Sequence, residues 1–149
     1  MKLYVNFFCR DIAAQCAFYA AVLGLPEHPP VRSPIYRALQ GPAFELGFNA
    51  WPAYELLGLS ERRPARDARP PVQCYPTLML GSPEAVDQAA HDAAAQGGRV
   101  VQGPFATYYG QWQAVLSDPE GQVFRVAHQG LPAGVQAPSL DALMEGGAS

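Results

Sequence analysis

The sequence predicts an α+β domain built from two copies of a strand–helix–three-strand (βαβββ) module. Two observations carry this prediction: the order of elements repeats along the chain, and each long helix begins at a capping residue and ends at glycine. We divide residues 1–128 into a first module (1–49), a linker (50–71) and a second module (72–128). Residues 129–149 follow as a C-terminal tail, so the 149-residue chain has the size of one domain.

The first module opens with a strand over residues 3–8, where apolar and polar side chains alternate. Asp11 is positioned to cap a helix over 12–23, because its carboxylate can accept from unpaired backbone N–H groups. Gly24 ends that helix. Two further strands are predicted over 35–40 and 43–49, joined by a turn at Gly41-Pro42.

The second module repeats this order, with a strand predicted over residues 72–80. Ser82-Pro83-Glu84 combines a capping serine, a proline at the first helical position and an acid in the first turn, which is typical of a helix start. The helix buries Val86, Ala89, Ala90 and Ala93 and stops at Gly97-Gly98. Three strands follow, over 99–105, 111–117 and 122–127, with a turn at 118–121 before the last.

Composition excludes several classes of protein. A formal charge of −3 and a pI near 5.5 give no general basic field, so we expect no nucleic-acid partner. No apolar run approaches the roughly 20 residues that span a bilayer, and the N-terminus lacks the features of a signal peptide, so we expect a cytoplasmic protein. Cys9, Cys16 and Cys74 form neither a disulfide framework nor a zinc motif. Abundant Ala, Arg and Pro with a single Lys favour a GC-rich bacterial source.

Two segments outside the modules have open interpretations. The linker carries four arginines among prolines, and we favour a solvated connection over a basic patch that recruits an anionic partner. In the tail, Ser139 is positioned to cap a short helix through Met144. Its apolar residues are expected to dock on the body or on a second subunit; they are Leu140, Leu143 and Met144.

Two motifs, one in each module, resemble those of a known superfamily. Asp11 is followed by Phe18-Tyr19 and Leu23-Gly24-Leu25, and the second module contains Trp112-x-Ala114-x-Leu116-x-Asp118-Pro119-x-Gly121. Over residues 1–128 the chain thus resembles the glyoxalase / bleomycin-resistance / extradiol-dioxygenase superfamily, also called vicinal oxygen chelate. The resemblance implies that the modules pair into a curved mixed sheet around a cleft. It also implies a homodimer, in some members with the cleft completed across the subunit boundary.

Metal-using members of that superfamily carry ligands on the first and last strand of each module. The resemblance places these positions at Tyr4, Glu45, Tyr75 (or Pro76 if the register slips by one) and Arg125. Only Glu45 is a conventional ligand, and a guanidinium has no lone pair to offer. We interpret His28, His91 and His128 as surface residues, His128 least firmly because it ends a cleft strand. The sequence therefore predicts no bound metal and no other cofactor.

The predicted cleft is lined by aromatic rings with one acid and one base near its floor. We hypothesise that Glu45 pairs with Arg125, either as part of a binding site or only to hold the modules in register. Glu45 is also the one evident general base, although contact with Arg125 would lower its pKa. The candidate ligand-binding residues are Tyr4, Asn6, Glu45, Phe48, Trp51, Tyr75, Thr77, Tyr108, Trp112 and Arg125.

Three functions are compatible with this pattern. We favour a metal-free protein that sequesters an aromatic or amphipathic small molecule, since aromatic rings with a few polar groups suit such ligands. The second alternative is an enzyme, either a divalent-metal-dependent lyase or dioxygenase with atypical ligands or a metal-free catalyst using Glu45. The third is a scaffold protein whose cleft is vestigial.

Overall fold

The computed structural model describes residues 1–146 and confirms the α+β class. The strands are β1 (Leu3–Cys9), β2 (Tyr36–Gln40), β3 (Phe44–Ala50), β4 (Thr77–Met79), β5 (Arg99–Ala106), β6 (Trp112–Ser117) and β7 (Val123–His128). The α-helices are α1 (Ile12–Leu23), α2 (Pro52–Leu56), α3 (Pro83–Ala95) and α4 (Leu140–Gly146), and short 3₁₀ turns cover Pro29–Val31 and Ser60–Arg62. Within the described chain, no helix combines the length and apolar character needed to cross a bilayer.

Both modules place their first strand beside their last. The first sheet has the order β1-β3-β2 and the second the order β4-β7-β6-β5, with parallel β1–β3 and β4–β7 pairs and antiparallel pairs elsewhere. In the first module the remaining strand is reduced to a single bridge between Glu27 and Leu39, because Pro26, Pro29 and Pro30 remove backbone donors. The two modules thus form two hydrogen-bonded mixed sheets.

The two long helices form where the capping residues predicted them. Asp11 accepts from the backbone N–H groups of Ala13 and Ala14 at 3.0 and 2.9 Å, and Gly24 ends α1 in the left-handed region with φ 64°. Ser82 accepts from the N–H of Ala85 at 3.2 Å and starts α3. The buried side of α3 consists of the four predicted residues, Val86, Ala89, Ala90 and Ala93.

One aromatic cluster joins the halves. Tyr19 of α1 lies with its ring centroid 5.4 Å from that of Phe48 in the first sheet and 5.0 Å from that of Phe124 in the second. Phe18 meets Phe124 edge-on at 6.1 Å. Since all four rings are buried, α1 is the element that packs both sheets into one core.

Three segments can be compared with expectation: the first strand of the second module, the linker and the tail. The predicted strand over 72–80 shortens to β4, since Pro76 limits pairing before Thr77. The linker is not wholly irregular, because α2 follows β3 directly. In the tail the N–H of Ala142 donates to Ser139 Oγ at 3.2 Å as predicted. Leu140 and Met144 are exposed and do not dock on the body, so docking on a second subunit stays a prediction. The Leu143 side chain and residues 147–149 of the tail lie outside the described part.

Candidate functional site

In each module, the pairing register places one residue of the first strand directly opposite one residue of the last strand. In the β1–β3 pair, Tyr4 lies opposite Glu45, and in the β4–β7 pair, Thr77 lies opposite Arg125. Thr77, rather than Tyr75 or Pro76, is thus the residue that lies opposite Arg125.

Glu45 is a buried carboxylate held by three side chains of its own module. Only 2% of the residue is exposed. Its Oε2 lies 3.3 Å from Lys2 Nζ and 3.4 Å from His28 Nδ1, and its Oε1 accepts from the Tyr36 hydroxyl at 3.3 Å. Burial, together with the nearby Glu45 charge, raises the pKa of Tyr36 to about 12. Tyr36 thus stays protonated and donates to Glu45.

His28 was missed as a partner of Glu45, because the sequence was interpreted as placing it on the surface. Its backbone N–H donates to the carbonyl of Ala38 at 2.8 Å, next to the Glu27–Leu39 bridge. This short pairing aligns the chain with β2 and brings the ring to Glu45. A one-residue bridge leaves no alternation pattern, so no sequence signal could have revealed this contact.

Arg125 organises a second polar cluster in the other module. Its Nε donates to Thr77 Oγ1 and its Nη1 to the Tyr109 hydroxyl, both at 3.0 Å. The Tyr109 hydroxyl in turn donates to Gln113 Oε1 at 3.1 Å. The guanidinium carbon lies 5.7 Å from the centre of the Tyr75 ring, within range of a cation–π contact. Tyr109 and Gln113 were not among the predicted ligand-binding residues. Because side chains alternate along β6, Gln113 points to the opposite face of the sheet from Trp112, and this alternation could have predicted Gln113 from the sequence.

The hypothesised Glu45–Arg125 pair does not form. Among residues 1–146, the basic nitrogen atoms within 4.0 Å of the Glu45 carboxylate belong to Lys2 and His28 only. Each residue finds partners within its own module, and the two sheets are not hydrogen-bonded to each other over the same part of the chain. The acid and the base therefore mark two separate polar clusters.

Two predicted ligand-binding aromatics face the helices instead. Phe48 is fully buried and stacks with Phe7 at 6.1 Å in the core. Trp112 packs partly against that core, and its Nε1 donates to Asp87 of α3 at 2.8 Å. Their aromatic rings predicted a role in the cleft, but strand alternation places both side chains on the face of the sheet that packs against the helices.

The remaining candidates divide between the two modules and the linker. Tyr4 and Asn6 are exposed, and Asn6 Oδ1 accepts from Asn49 Nδ2 at 3.3 Å. Tyr108 is exposed and packs edge-on against Tyr109 at 4.9 Å between ring centroids. Trp51 belongs to neither cluster, since it lines a cavity at the linker.

Comparison with known proteins decides the family. A sequence model of the glyoxalase-like domain matches residues 3–127. The chain belongs to this glyoxalase-like family. A solved glyoxalase/bleomycin resistance protein/dioxygenase family enzyme from Burkholderia phytofirmans PsJN is 40% identical, with 84% of this chain and 95% of that chain covered and a TM-score of 0.77.

More distant glyoxalase-like structures share the fold. A glyoxalase/bleomycin resistance protein from Albidiferax ferrireducens T118 is 23% identical over 85% of this chain and 97% of its own, with a TM-score of 0.65. A lactoylglutathione lyase from Agrobacterium tumefaciens is 16% identical over 86% and 92%, with a TM-score of 0.60. None of the curated proteins matches the sequence.

The donor set of this glyoxalase-like chain does not fit the family's divalent metal. The register positions hold Tyr4, Glu45, Thr77 and Arg125, so a carboxylate is the single conventional ligand. Lys2 Nζ, 3.3 Å from Glu45, and the guanidinium of Arg125 would repel a divalent cation. Among residues 1–146, no three His, Cys, Asp or Glu side chains are grouped as a metal site.

Proposed function

We propose that the chain is a small-molecule-binding protein of the glyoxalase/bleomycin-resistance type that takes up an aromatic or amphipathic ligand without a resident metal ion. The observation that carries the proposal is the setting of Arg125. Its guanidinium lies beside Tyr75 and Tyr109, and within the described chain no carboxylate lies within 4.0 Å of it. An unneutralised cation among aromatic rings suits a flat ligand that carries an anionic group.

The hydrogen bonds of Arg125 support anion binding in particular. A guanidinium has five N–H donors in a planar fork, and Thr77 and Tyr109 each accept one bond. These two contacts hold the group in place and leave other donors for a ligand carboxylate. Because the side chain is already oriented, less conformational entropy is lost when the ligand binds.

The setting of Glu45 favours binding over catalysis. A general base needs a free lone pair within hydrogen-bond reach of the substrate. Glu45 is buried, and its oxygens already lie within 3.4 Å of donors on Lys2, His28 and Tyr36. We therefore assign to Glu45 the role of fixing these side chains beneath Tyr4 and Asn6.

A second copy of the chain is part of the proposal. Tyr4 and Tyr75 are 52% and 50% exposed, so both aromatic faces are open in a single chain. Exposed aromatic side chains at a polar cluster are typical of surfaces that a ligand or a partner covers. We propose that two copies form a homodimer and that their faces together enclose the ligand.

Calorimetric titration with matched naphthalene derivatives tests the ligand class. We expect 2-naphthoate to bind more tightly than its uncharged carboxamide or the cationic 2-naphthylmethylammonium. Arg125→Gln should weaken 2-naphthoate binding by about tenfold or more, the effect of one charge-assisted hydrogen bond. Arg32→Gln is the matched control, since Arg32 is paired with Glu27 at 2.6 Å. Equal affinity for the acid and the amide, or no effect of Arg125→Gln, would contradict the proposal.

Elemental analysis tests the metal-free part separately. After incubation with divalent metals and desalting, we expect well below one metal ion per chain, and naphthoate binding that is unchanged by a chelator. Near-stoichiometric metal that is lost in Glu45→Ala would instead support the alternative of a metal-dependent lyase or dioxygenase with atypical ligands.

A further inference from the structure

Two adjoining cavities lie where the end of β1 meets the linker, away from Glu45 and Arg125. Their volumes are about 180 and 300 Å³, and both are lined by Arg10, Trp51 and Arg66. Together they reach the size of a small-molecule site. The proposed function makes no use of them.

Three aromatic rings form part of the lining of the 180 Å³ cavity. Phe8 and Tyr54 stack with ring centroids 3.7 Å apart and planes 15° from parallel, and both rings line the cavity beside Trp51. Three linker prolines, whose rings restrict the backbone, also line it: Pro64, Pro70 and Pro71. Such walls suit an aromatic ring, because stacking adds to apolar burial.

The charge around this site is positive although the protein is acidic. Arg62 and Arg66 line the cavity, and the guanidinium carbon of Arg63 lies 5.6 Å from the centre of the Trp51 ring. Over residues 1–146, no carboxylate approaches any of these three guanidinium groups within 4.0 Å. Four of the ten basic side chains of the protein line this cavity or lie over its Trp51 ring: Arg10, Arg62, Arg63 and Arg66.

Glu120 also lines the cavity, but its charge is already compensated. Its oxygens accept from the backbone N–H groups of Arg10 and Asp11 at 2.8 to 2.9 Å and lie 3.3 Å from Arg10 Nε. Arg10 Nη1 also donates to the carbonyl of Arg66 at 3.1 Å, which ties the linker to the end of β1. These contacts fix the linker against the end of β1. Because Glu120 is paired with Arg10, the charges of Arg62 and Arg66 remain uncompensated.

We propose that this cavity is a second ligand site and that it takes a phosphate monoester carried on a flat heteroaromatic ring. A phosphate monoester bears a charge of about −1.5 to −2 at neutral pH and three acceptor oxygens, which matches two unpaired guanidinium groups. The ring lies against Trp51 and the Phe8–Tyr54 stack. The arginines of the linker are therefore a binding element and not only a solvated connection.

Calorimetric titration of the full chain with three related compounds tests separately whether the aromatic ring and the phosphate of the ligand contribute to binding. Adenosine monophosphate carries the ring and the phosphate, adenosine lacks the phosphate, and ribose 5-phosphate lacks the ring. We expect the monophosphate to bind at least about tenfold more tightly than either of the others. Comparable affinity of ribose 5-phosphate would refute the role of the aromatic wall, and comparable affinity of adenosine would refute the role of the arginines.

A charge-matched pair of double variants locates the site. Arg62→Gln with Arg66→Gln should weaken binding of adenosine monophosphate by about tenfold or more. Arg32→Gln with Arg37→Gln removes the same charge, but from side chains paired with Glu27, and should leave the affinity unchanged. Arg125→Gln should also leave it unchanged, which separates this site from the proposed naphthoate site. Equal losses in both double variants, or binding of an anionic polymer such as heparin without binding of the monophosphate, would overturn the proposal.

Discussion

The hydroxyl of Tyr19 donates a 3.0 Å hydrogen bond to the carboxylate of Asp118 and thereby joins the two halves of the fold. The other oxygen of Asp118 accepts from the N–H groups of Glu120 and Gln122 at 2.9 and 3.0 Å, which shapes the turn into β7. Burial raises the pKa of Asp118, because the ionised carboxyl loses solvation that these donors only partly replace. One buried carboxylate thus fixes both a turn and the contact between modules.

We expect Tyr19→Phe to lower the free energy of unfolding by about 1.5–3 kcal/mol, the typical contribution of a hydrogen bond to a charged group. The ring itself, and hence its packing against Phe48 and Phe124, is retained. Urea denaturation measures the change. Tyr108→Phe removes an exposed hydroxyl and should change stability by less than about 0.5 kcal/mol. Equal effects of the two variants would show that the Tyr19–Asp118 bond adds nothing to stability.

Tyr36 should make stability fall between about pH 10 and pH 12. Its pKa is raised to about 12 in the folded chain, whereas an unfolded tyrosine titrates near 10. Below pH 10 both states hold the proton; as the pH rises through this window, the unfolded chain ionises first and is favoured. Tyr36→Phe should therefore show a shallower loss of stability across the window in urea denaturation series. A slope identical to that of the unmodified protein would contradict this prediction.

Local signals in the sequence predicted the helices well. Asp11 and Ser82 act on N–H groups two or three residues away, so the starts of α1 and α3 do not depend on the rest of the fold. The alternation of side chains along β3 likewise predicted that Glu45 and Leu46 point to opposite faces of the sheet. These features could be predicted because each depends on a short stretch of chain.

The contacts of the candidate site could not be predicted in the same way. His28 reaches Glu45 through a bridge too short to leave a pattern, and Arg125 pairs with Thr77 because of where β4 begins. The expected Glu45–Arg125 pair would have had to bridge the two modules, whose described sheets are not hydrogen-bonded to each other. Tertiary packing decides which residues from distant strands meet, and a single sequence does not encode that in any local pattern.

Gly98 marks a close contact between β6 and α1, and Gly98→Ala should be destabilising. A Cβ at this position would lie 2.6 Å from the carbonyl oxygen of Ser117 and 2.8 Å from the Phe18 ring. Since backbone and a buried ring must both shift, we expect a loss of about 1–3 kcal/mol in the free energy of unfolding. Gly81→Ala meets nothing within 4 Å and is the matched control. Chemical denaturation that gives the same stability for both variants would refute the close contact.

The three thiols should differ sharply in reactivity. Burial raises the pKa of Cys9, and it raises the pKa of Cys16 to about 11, whereas Cys74 is exposed just before β4. Brief treatment of the native protein with iodoacetamide at about pH 8 should therefore add one carbamidomethyl group per chain, because the thiolate is the reactive form. Mass spectrometry should find no adduct in native Cys74→Ser and two after it is unfolded in urea. Rapid modification of Cys9 or Cys16 in the native protein would show that the core around β1 and α1 opens far more often than its packing implies.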